Sequence, residues 1–131
     1  MQSRWMPAAL VIGLSACGGS SSSGTGPTTP PASGTPPPGP TVTITASGVS
    51  PKQIEIAVGG RVTFVNMDST VHEMASDPHP THENCLPMNE VTALAPNQFR
   101  QTGVFTTART CGYHDHGEST NTSLQGTIVI R

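Results

Sequence analysis

A short segment near the C-terminus, residues 110–117, brings together side chains that can bind a metal ion. It places one thiol, Cys111, and two imidazoles, His114 and His116, within six residues. All five histidines of the chain lie between residues 72 and 116, together with two of its three cysteines. Thiolate and imidazole ligands favour copper or zinc, whereas carboxylates alone would favour calcium or magnesium. We therefore expect a transition-metal site, for copper in preference to zinc.

The segments around these residues alternate polar and apolar side chains with the period of a β-strand. Six runs show the pattern: residues 41–45, 53–58, 61–66, 98–102, 104–107 and 126–130. Gly59-Gly60 predicts a hairpin turn between the second and third runs. The helical period is missing from every window of eleven or more residues, so we expect no substantial helix. The pattern predicts an all-β domain, a small Greek-key β-sandwich or barrel.

Two segments resemble the ligand segments of the cupredoxins, the blue-copper proteins of the plastocyanin and azurin type. Residues 62–72, an alternating strand followed by Asn-x-Asp and a histidine, resemble the segment that delivers the first histidine ligand. Residues 111–114, Cys-Gly-Tyr-His, resemble the Cys-x-x-His that precedes the last strand of that family. The likeness covers residues 41–131 and implies a cupredoxin-type fold.

The resemblance also implies a ligand set. His72, Cys111 and His114 would form the trigonal two-histidine, one-thiolate site of a blue-copper protein. The usual axial methionine is missing, because Leu124 stands at its place. Its replacement is left open among three side chains: His116, Met74 and Met88.

Cys85 gives a second interpretation of the same segment. In an oxidising compartment, two cysteines of a small exported domain usually pair, and a Cys85–Cys111 disulfide would remove the thiolate ligand. His114 and His116 would still face one side of an extended segment, and with His72 they would form a three-histidine site for copper or zinc. Such a site beside a disulfide is similar to the copper–zinc superoxide dismutases, although there the ligands come in another order.

His79 and His82 belong to a polar segment, residues 77–85, which we predict to be a loop. They are interpreted as surface histidines, with a secondary metal site as the alternative. Acidic residues that would surround the site attract cations, so copper handling stands beside electron transfer as a hypothesis. These acids are Glu73, Asp77, Glu83, Asp115 and Glu118.

The first 40 residues have the composition of an export signal and a tether. An apolar run at residues 8–14 is too short to span a bilayer. Residues 14–17, Leu-Ser-Ala-Cys, resemble the lipobox of bacterial lipoproteins, which implies cleavage before Cys17 and a lipid on its thiol. Residues 18–40 contain only Gly, Ser, Thr, Pro and Ala, so they cannot build a core and are expected to be disordered.

These observations predict three regions: a signal peptide at 1–16, a lipidated tether at 17–40 and a cupredoxin-like domain at 41–131. A net charge of −2 with six Lys and Arg argues against nucleic acid as a partner. We expect a monomeric protein of the cell envelope, anchored to a membrane on its periplasmic or outer side. Its partners would be copper ions or a redox protein, and it would be an electron carrier or metal-binding protein rather than an enzyme. A metal-free binding module stapled by the disulfide is the remaining alternative.

Overall fold

The computed structural model describes residues 30–131, which form ten β-strands in two sheets of five. The strands are β1 (Ala32–Ser33), β2 (Thr41–Thr45), β3 (Gly48–Ser50), β4 (Gln53–Ile56), β5 (Thr63–Asn66), β6 (His72–Ser76), β7 (Thr92–Leu94), β8 (Gln98–Gln101), β9 (Arg109–Asp115) and β10 (Gly126–Ile130). Two 3₁₀ turns, Leu86–Glu90 and Thr122–Leu124, are the only helical segments in this part of the chain. Over these residues, no helix has the length and apolarity needed to cross a membrane.

The two sheets stack as a sandwich. The first has the order β1-β8-β5-β2-β3, and the second has the order β4-β10-β9-β6-β7. β2 pairs with β5 and β4 with β10 in parallel, while the other pairs are antiparallel. The all-β sandwich expected from the alternating pattern is confirmed.

Alternate side chains of both sheets form the core between them. Val42, Ile44 and Phe64 of the first sheet are fully buried, as is Ile128 of the second. The rings of Phe64 and Tyr113 meet edge to face across the sandwich, with centroids 5.1 Å apart. This pair joins the two sheets directly behind the segment that carries Cys111 and His114.

The hairpin predicted at Gly59-Gly60 is wrong. β4 lies in the second sheet beside β10, whereas β5 lies in the first beside β2, so the turn carries the chain from one sheet to the other. The strand predicted at 104–107 is also absent. Phe105 instead exchanges two backbone hydrogen bonds with the turn: Gly59 N–H donates to its carbonyl at 2.8 Å, and its own N–H donates to Gly60 at 3.0 Å. These two backbone hydrogen bonds between Phe105 and the turn stand in place of the strand pairing that was expected.

Part of the predicted tether has a defined place. β1 pairs with β8 through Ala32 and Ser33, two residues of the segment predicted to be a disordered tether. Backbone hydrogen bonds to an edge strand need no apolar side chains, which explains why composition did not reveal this strand. Residues 1–29, with the predicted lipidation site Cys17, lie outside the described residues.

Candidate metal centre

β9 determines which of the candidate side chains can meet. Cys111 pairs with Ile128 of β10 and faces the core, where it is 1% exposed. His114 lies three residues further along the same continuous strand and pairs with Ala75 of β6. Because successive side chains of a strand alternate between faces, the Cys111 and His114 side chains point to opposite sides of the sheet.

Cys111 is bonded to Cys85 in a disulfide, with their Cα atoms 5.9 Å apart. The structure therefore contains the pairing given above as the alternative. The blue-copper set of His72, Cys111 and His114 is corrected on two grounds. The sulfur is used in the disulfide, and it lies on the other side of the sheet from His114.

His72 occupies a separate, buried place. Its Nδ1 lies 2.7 Å from an oxygen of Asp115, and its Nε2 lies 3.0 Å from an oxygen of Asp68. Burial lowers the pKa of His72, but the hydrogen bonds to Asp68 and Asp115 outweigh it, and the pKa is raised overall. Both ring nitrogens have carboxylate partners, so His72 ties the loop after β5 to the end of β9. The three-histidine set that included His72 is therefore corrected as well.

Four other histidines form one cluster over β9, away from the core. The Nε2 atoms of His82 and His114 are 3.3 Å apart, and His116 Nδ1 lies 3.3 Å from the same His82 atom. The ring of His79 completes the group, with centroids 5.1 to 5.5 Å from those of the other three. One nitrogen each from His79, His82 and His114 lies within a common span of 4.8 Å. The pair at 79 and 82 thus belongs to the same site as His114 and His116.

The spacing of these nitrogens suits a metal ion. Zinc and similar ions bind imidazole nitrogen at about 2.0–2.1 Å, which in a tetrahedral site separates the ligand nitrogens by roughly 3.3–3.4 Å. The two contacts of His82 have this length. His79 and His116 are exposed while His114 is buried, so one side of the cluster opens to solvent.

The loop that carries His79 and His82 is held in place by hydrogen bonds to its backbone. The His82 carbonyl accepts from the Ser76 hydroxyl at 2.8 Å and from the Asn89 amide at 2.6 Å. The His82 N–H donates to Pro78 at 2.8 Å. His82 itself has a positive φ of 52°, a conformation uncommon outside glycine, which these bonds maintain.

Asp77 orients His114. An oxygen of its carboxylate lies 2.7 Å from His114 Nδ1, so Nδ1–H donates there and Nε2 is the ring nitrogen that faces the other histidines. Gly112 makes this contact possible, because a Cβ at that position would overlap the Asp77 carboxylate. The Asp77 N–H also donates to the Gly112 carbonyl at 3.0 Å, which fixes the loop to the strand.

The pKa of His82 is lowered by its burial and by its neighbours His114, His116 and His79. A lowered pKa keeps the ring neutral near pH 7, and only a neutral imidazole can bind a metal. The lowered pKa of His82 therefore favours metal binding at the centre of the cluster.

The methionines proposed as axial ligands are packing residues in the structure. Met74 and Met88 are buried in the hydrophobic core, on the other side of the sheet from His114. Leu124, at the expected methionine position, is buried there too.

The sequence interpretation underestimated the loop histidines His79 and His82, which lie in the same cluster as His114. Residue spacing shows which side chains share a face of the strand: His114 and His116 are an even number of residues apart, whereas Cys111 and His114 are an odd number apart.

Comparisons with known proteins agree with this architecture. No protein-family model matches the sequence, and no curated protein does either. Among solved structures, a purple cupredoxin from Nitrosopumilus maritimus is 20% identical with a TM-score of 0.55, covering 71% of this chain and all of its own. A methionine-to-alanine variant of amicyanin in its Cu(I) form is 19% identical with a TM-score of 0.57, covering 77% of this chain and 91% of its own. Plastocyanin from Dryopteris crassirhizoma is 14% identical with a TM-score of 0.54, covering 70% of this chain and 99% of its own. The chain has the cupredoxin fold, as its resemblance to that family implied.

Proposed function

We propose that this domain binds one copper ion, as Cu(II), through His79, His82, His114 and His116, and that it captures or carries copper in the cell envelope. The observation that supports this most directly is the position of His82 Nε2, 3.3 Å from ring nitrogens of both His114 and His116. In addition, one nitrogen each from His79, His82 and His114 lies within a common span of 4.8 Å, close enough to bind one ion together.

The donor set favours copper in its oxidised state. Among divalent ions, copper binds a given set of nitrogen ligands more tightly than zinc does. Cu(I) is favoured by thiolate and thioether ligands, but Cys111 is in a disulfide and Met74 and Met88 are buried in the core. Cu(I)-amicyanin is among the proteins of similar fold, which adds support for copper over other ions.

The charge around the cluster supports ion capture. Glu73, Glu83 and Glu118 are exposed on the segments that carry the histidines, and no Lys or Arg lies between residues 62 and 99. Negative charge raises the local concentration of cations and speeds their association. Electron transfer with a redox protein is the second candidate, because the fold is shared with a plastocyanin solved in oxidised and reduced forms.

The location in the envelope is part of the proposal. The lipobox-like residues 14–17 support a lipid anchor at Cys17. A disulfide between Cys85 and Cys111 supports the same location, because disulfides persist in oxidising compartments and are rare in the cytosol.

A copper titration of matched variants tests the proposal. The protein is the full-length chain carrying Cys17→Ser, titrated with Cu(II) in competition with a chelator of known affinity. We expect one ion per chain. Copper affinity should fall in His82→Ala or His114→Ala by more than the roughly 10–100-fold that is usual when a ligand only loses its hydrogen-bond partner. His72→Gln is the control and should bind copper like the parent. Loss of binding in the control with retention in His82→Ala would refute this assignment.

A further inference from the structure

The disulfide joins the two segments that carry the copper-binding histidines. Cys85 comes three residues after His82, and Cys111 comes three residues before His114. Both cysteines are buried, and Cys111 faces the opposite side of β9 from His114. The disulfide thus lies outside the ligand set and connects its two halves.

These halves differ in how firmly they are held. His114 lies within β9, which pairs with β10 on one side and β6 on the other. His79 and His82 lie on the connection between β6 and β7, and their positions rest on loop hydrogen bonds. The disulfide is the only covalent link between this loop and β9 in residues 30–131, apart from the chain itself.

Ser76 couples the disulfide to the ligand loop. Its hydroxyl donates to the His82 carbonyl at 2.8 Å and accepts from the Cys85 N–H at 3.4 Å. One side chain therefore contacts the backbone at both the ligand and the cysteine. A displacement of Cys85 would disturb the hydrogen bond that positions His82.

We propose that the Cys85–Cys111 disulfide is a redox switch that sets the affinity of the histidine cluster for its metal, an inference that rests on the proposed function. A dithiol reductant would transfer two electrons and two protons to the disulfide, giving two cysteine thiols and its own disulfide. The loop would then be held to β9 by the hydrogen bonds of Asp77 to Gly112 and His114 alone, so its histidines would be less firmly positioned and the ion would dissociate more readily. Cys85 is among the residues that line a surface cavity of about 210 Å³, and a small reductant would have to enter there to reach the buried sulfurs.

Thermodynamic linkage makes the effect reciprocal. If the disulfide raises metal affinity by some factor, the bound metal must favour the disulfide over the thiols by the same factor. A tenfold factor corresponds to about 30 mV in the potential of this two-electron couple. The coupling can therefore be measured either as a change in metal affinity or as a change in the thiol–disulfide equilibrium.

The first measurement compares Cu(II) affinity between the Cys17→Ser chain and the same chain with Cys85→Ser and Cys111→Ser. We expect at least a tenfold weaker affinity in the double-serine variant, with faster copper dissociation. Equal Cu(II) affinities in the folded parent chain and the folded double-serine variant would overturn the proposal of a redox switch. If the parent chain itself binds no copper, the proposed function fails, which is a separate result.

The second measurement applies even if the double-serine variant does not fold. The disulfide of the parent chain is equilibrated in a glutathione redox buffer, with free Zn²⁺ fixed at zero or at saturation by nitrilotriacetate. Zn²⁺ replaces copper because thiols reduce Cu(II). We expect saturating Zn²⁺ to shift the equilibrium about tenfold toward the disulfide, and His82→Ala to abolish the shift. No shift in the parent chain, or a shift toward the thiols, would overturn the proposal.

Discussion

The side chains of Cys111 and His114 lie on opposite faces of β9. They are three residues apart in one uninterrupted strand, so the alternation of side chains separates the sulfur from the imidazole. Cys111 is thereby assigned to the core and the disulfide, and His114 to the outer cluster. His116, two residues beyond His114, extends to the same cluster and contacts His82. A site built on this strand therefore uses nitrogen ligands.

The Asp77 carboxylate should strengthen metal binding through His114. In Asp77→Asn the amide oxygen can still accept the proton of Nδ1, but it lacks the charge that raises the basicity of the ring. We expect copper affinity to fall about 10–100-fold, which is usual when such a partner is altered. Competition titration measures the change.

Asp68→Asn is the matched control, because Asp68 is the corresponding carboxylate beside His72. It should leave copper affinity unchanged and lower thermal stability. Equal copper affinity in the Asp77 and Asp68 variants would contradict the role given to Asp77.

Gly112 should be required for the contact between Asp77 and His114. In Gly112→Ala the new Cβ would overlap the Asp77 carboxylate, so that the loop or the side chain must move. We expect copper affinity to fall at least as far as in Asp77→Asn. Gly117→Ala is the control, because its Cβ would meet nothing closer than Asp115 Oδ1 at 3.4 Å. A fall of the same size in both alanine variants would mean that the effect does not come from Asp77.

His72 should stabilise the fold in a pH-dependent way. Its pKa is raised above the ordinary 6.5, since hydrogen bonds to Asp68 and Asp115 outweigh the effect of burial. The pKa of Asp68 is lowered, chiefly by its hydrogen bond to His72, which favours the charged carboxylate. A histidine with a raised pKa contributes its full stabilisation below the unfolded-state value and loses it as the pH rises through the folded-state value.

The free energy of unfolding should therefore differ most between the parent chain and His72→Gln near pH 5 to 6, and the difference should shrink above pH 6.5. Urea unfolding of the metal-free proteins at several pH values measures it. A difference that stays constant would show that folding does not change the pKa of His72, and a difference that grows as the pH rises would show that folding lowers it; either result would contradict the prediction.

The Tyr113 hydroxyl should contribute nothing favourable to stability. It is buried without a hydrogen-bond partner in the described part of the chain, and burial raises its pKa. Removing an unsatisfied hydroxyl relieves a cost of about 1–3 kcal/mol, so Tyr113→Phe should unfold at the same or a higher temperature. Tyr113→Leu, which loses the edge-to-face contact with Phe64, should be destabilised. A clear loss of stability in Tyr113→Phe would show that the hydroxyl has a partner.

Much of the fold could be predicted because alternating sequences reveal strands with one buried face. The runs at 41–45, 98–102 and 126–130 correspond closely to β2, β8 and β10. The pattern does not say which strands pair. The Gly59-Gly60 turn has the local form of a hairpin turn, yet the chain passes between sheets there, because β4 and β5 each find a parallel partner distant in sequence.

The site was predicted in its residue types and only partly in its grouping. The pairing of Cys85 with Cys111 and the shared face of His114 and His116 follow from general chemistry and strand geometry. The inclusion of His72 came from the resemblance of residues 62–72 to the segment that delivers the first histidine ligand of the cupredoxins. Because β9 continues to Asp115, the side chains near His114 come from the segment that covers the outer face of the sheet. Only the three-dimensional path of loop 77–85 shows that these side chains are His79 and His82.

The electronic spectrum of the Cu(II)-loaded protein distinguishes histidine coordination from thiolate coordination. The full-length chain carrying Cys17→Ser is loaded with one equivalent of Cu(II), and its visible absorption and electron paramagnetic resonance spectra are recorded. Coordination by the four histidines predicts a weak d–d band and hyperfine splitting from several nitrogen nuclei, both altered in His82→Ala. An intense thiolate-to-copper charge-transfer band, retained in His82→Ala, would show that Cys111 is a ligand and would contradict coordination by the histidines.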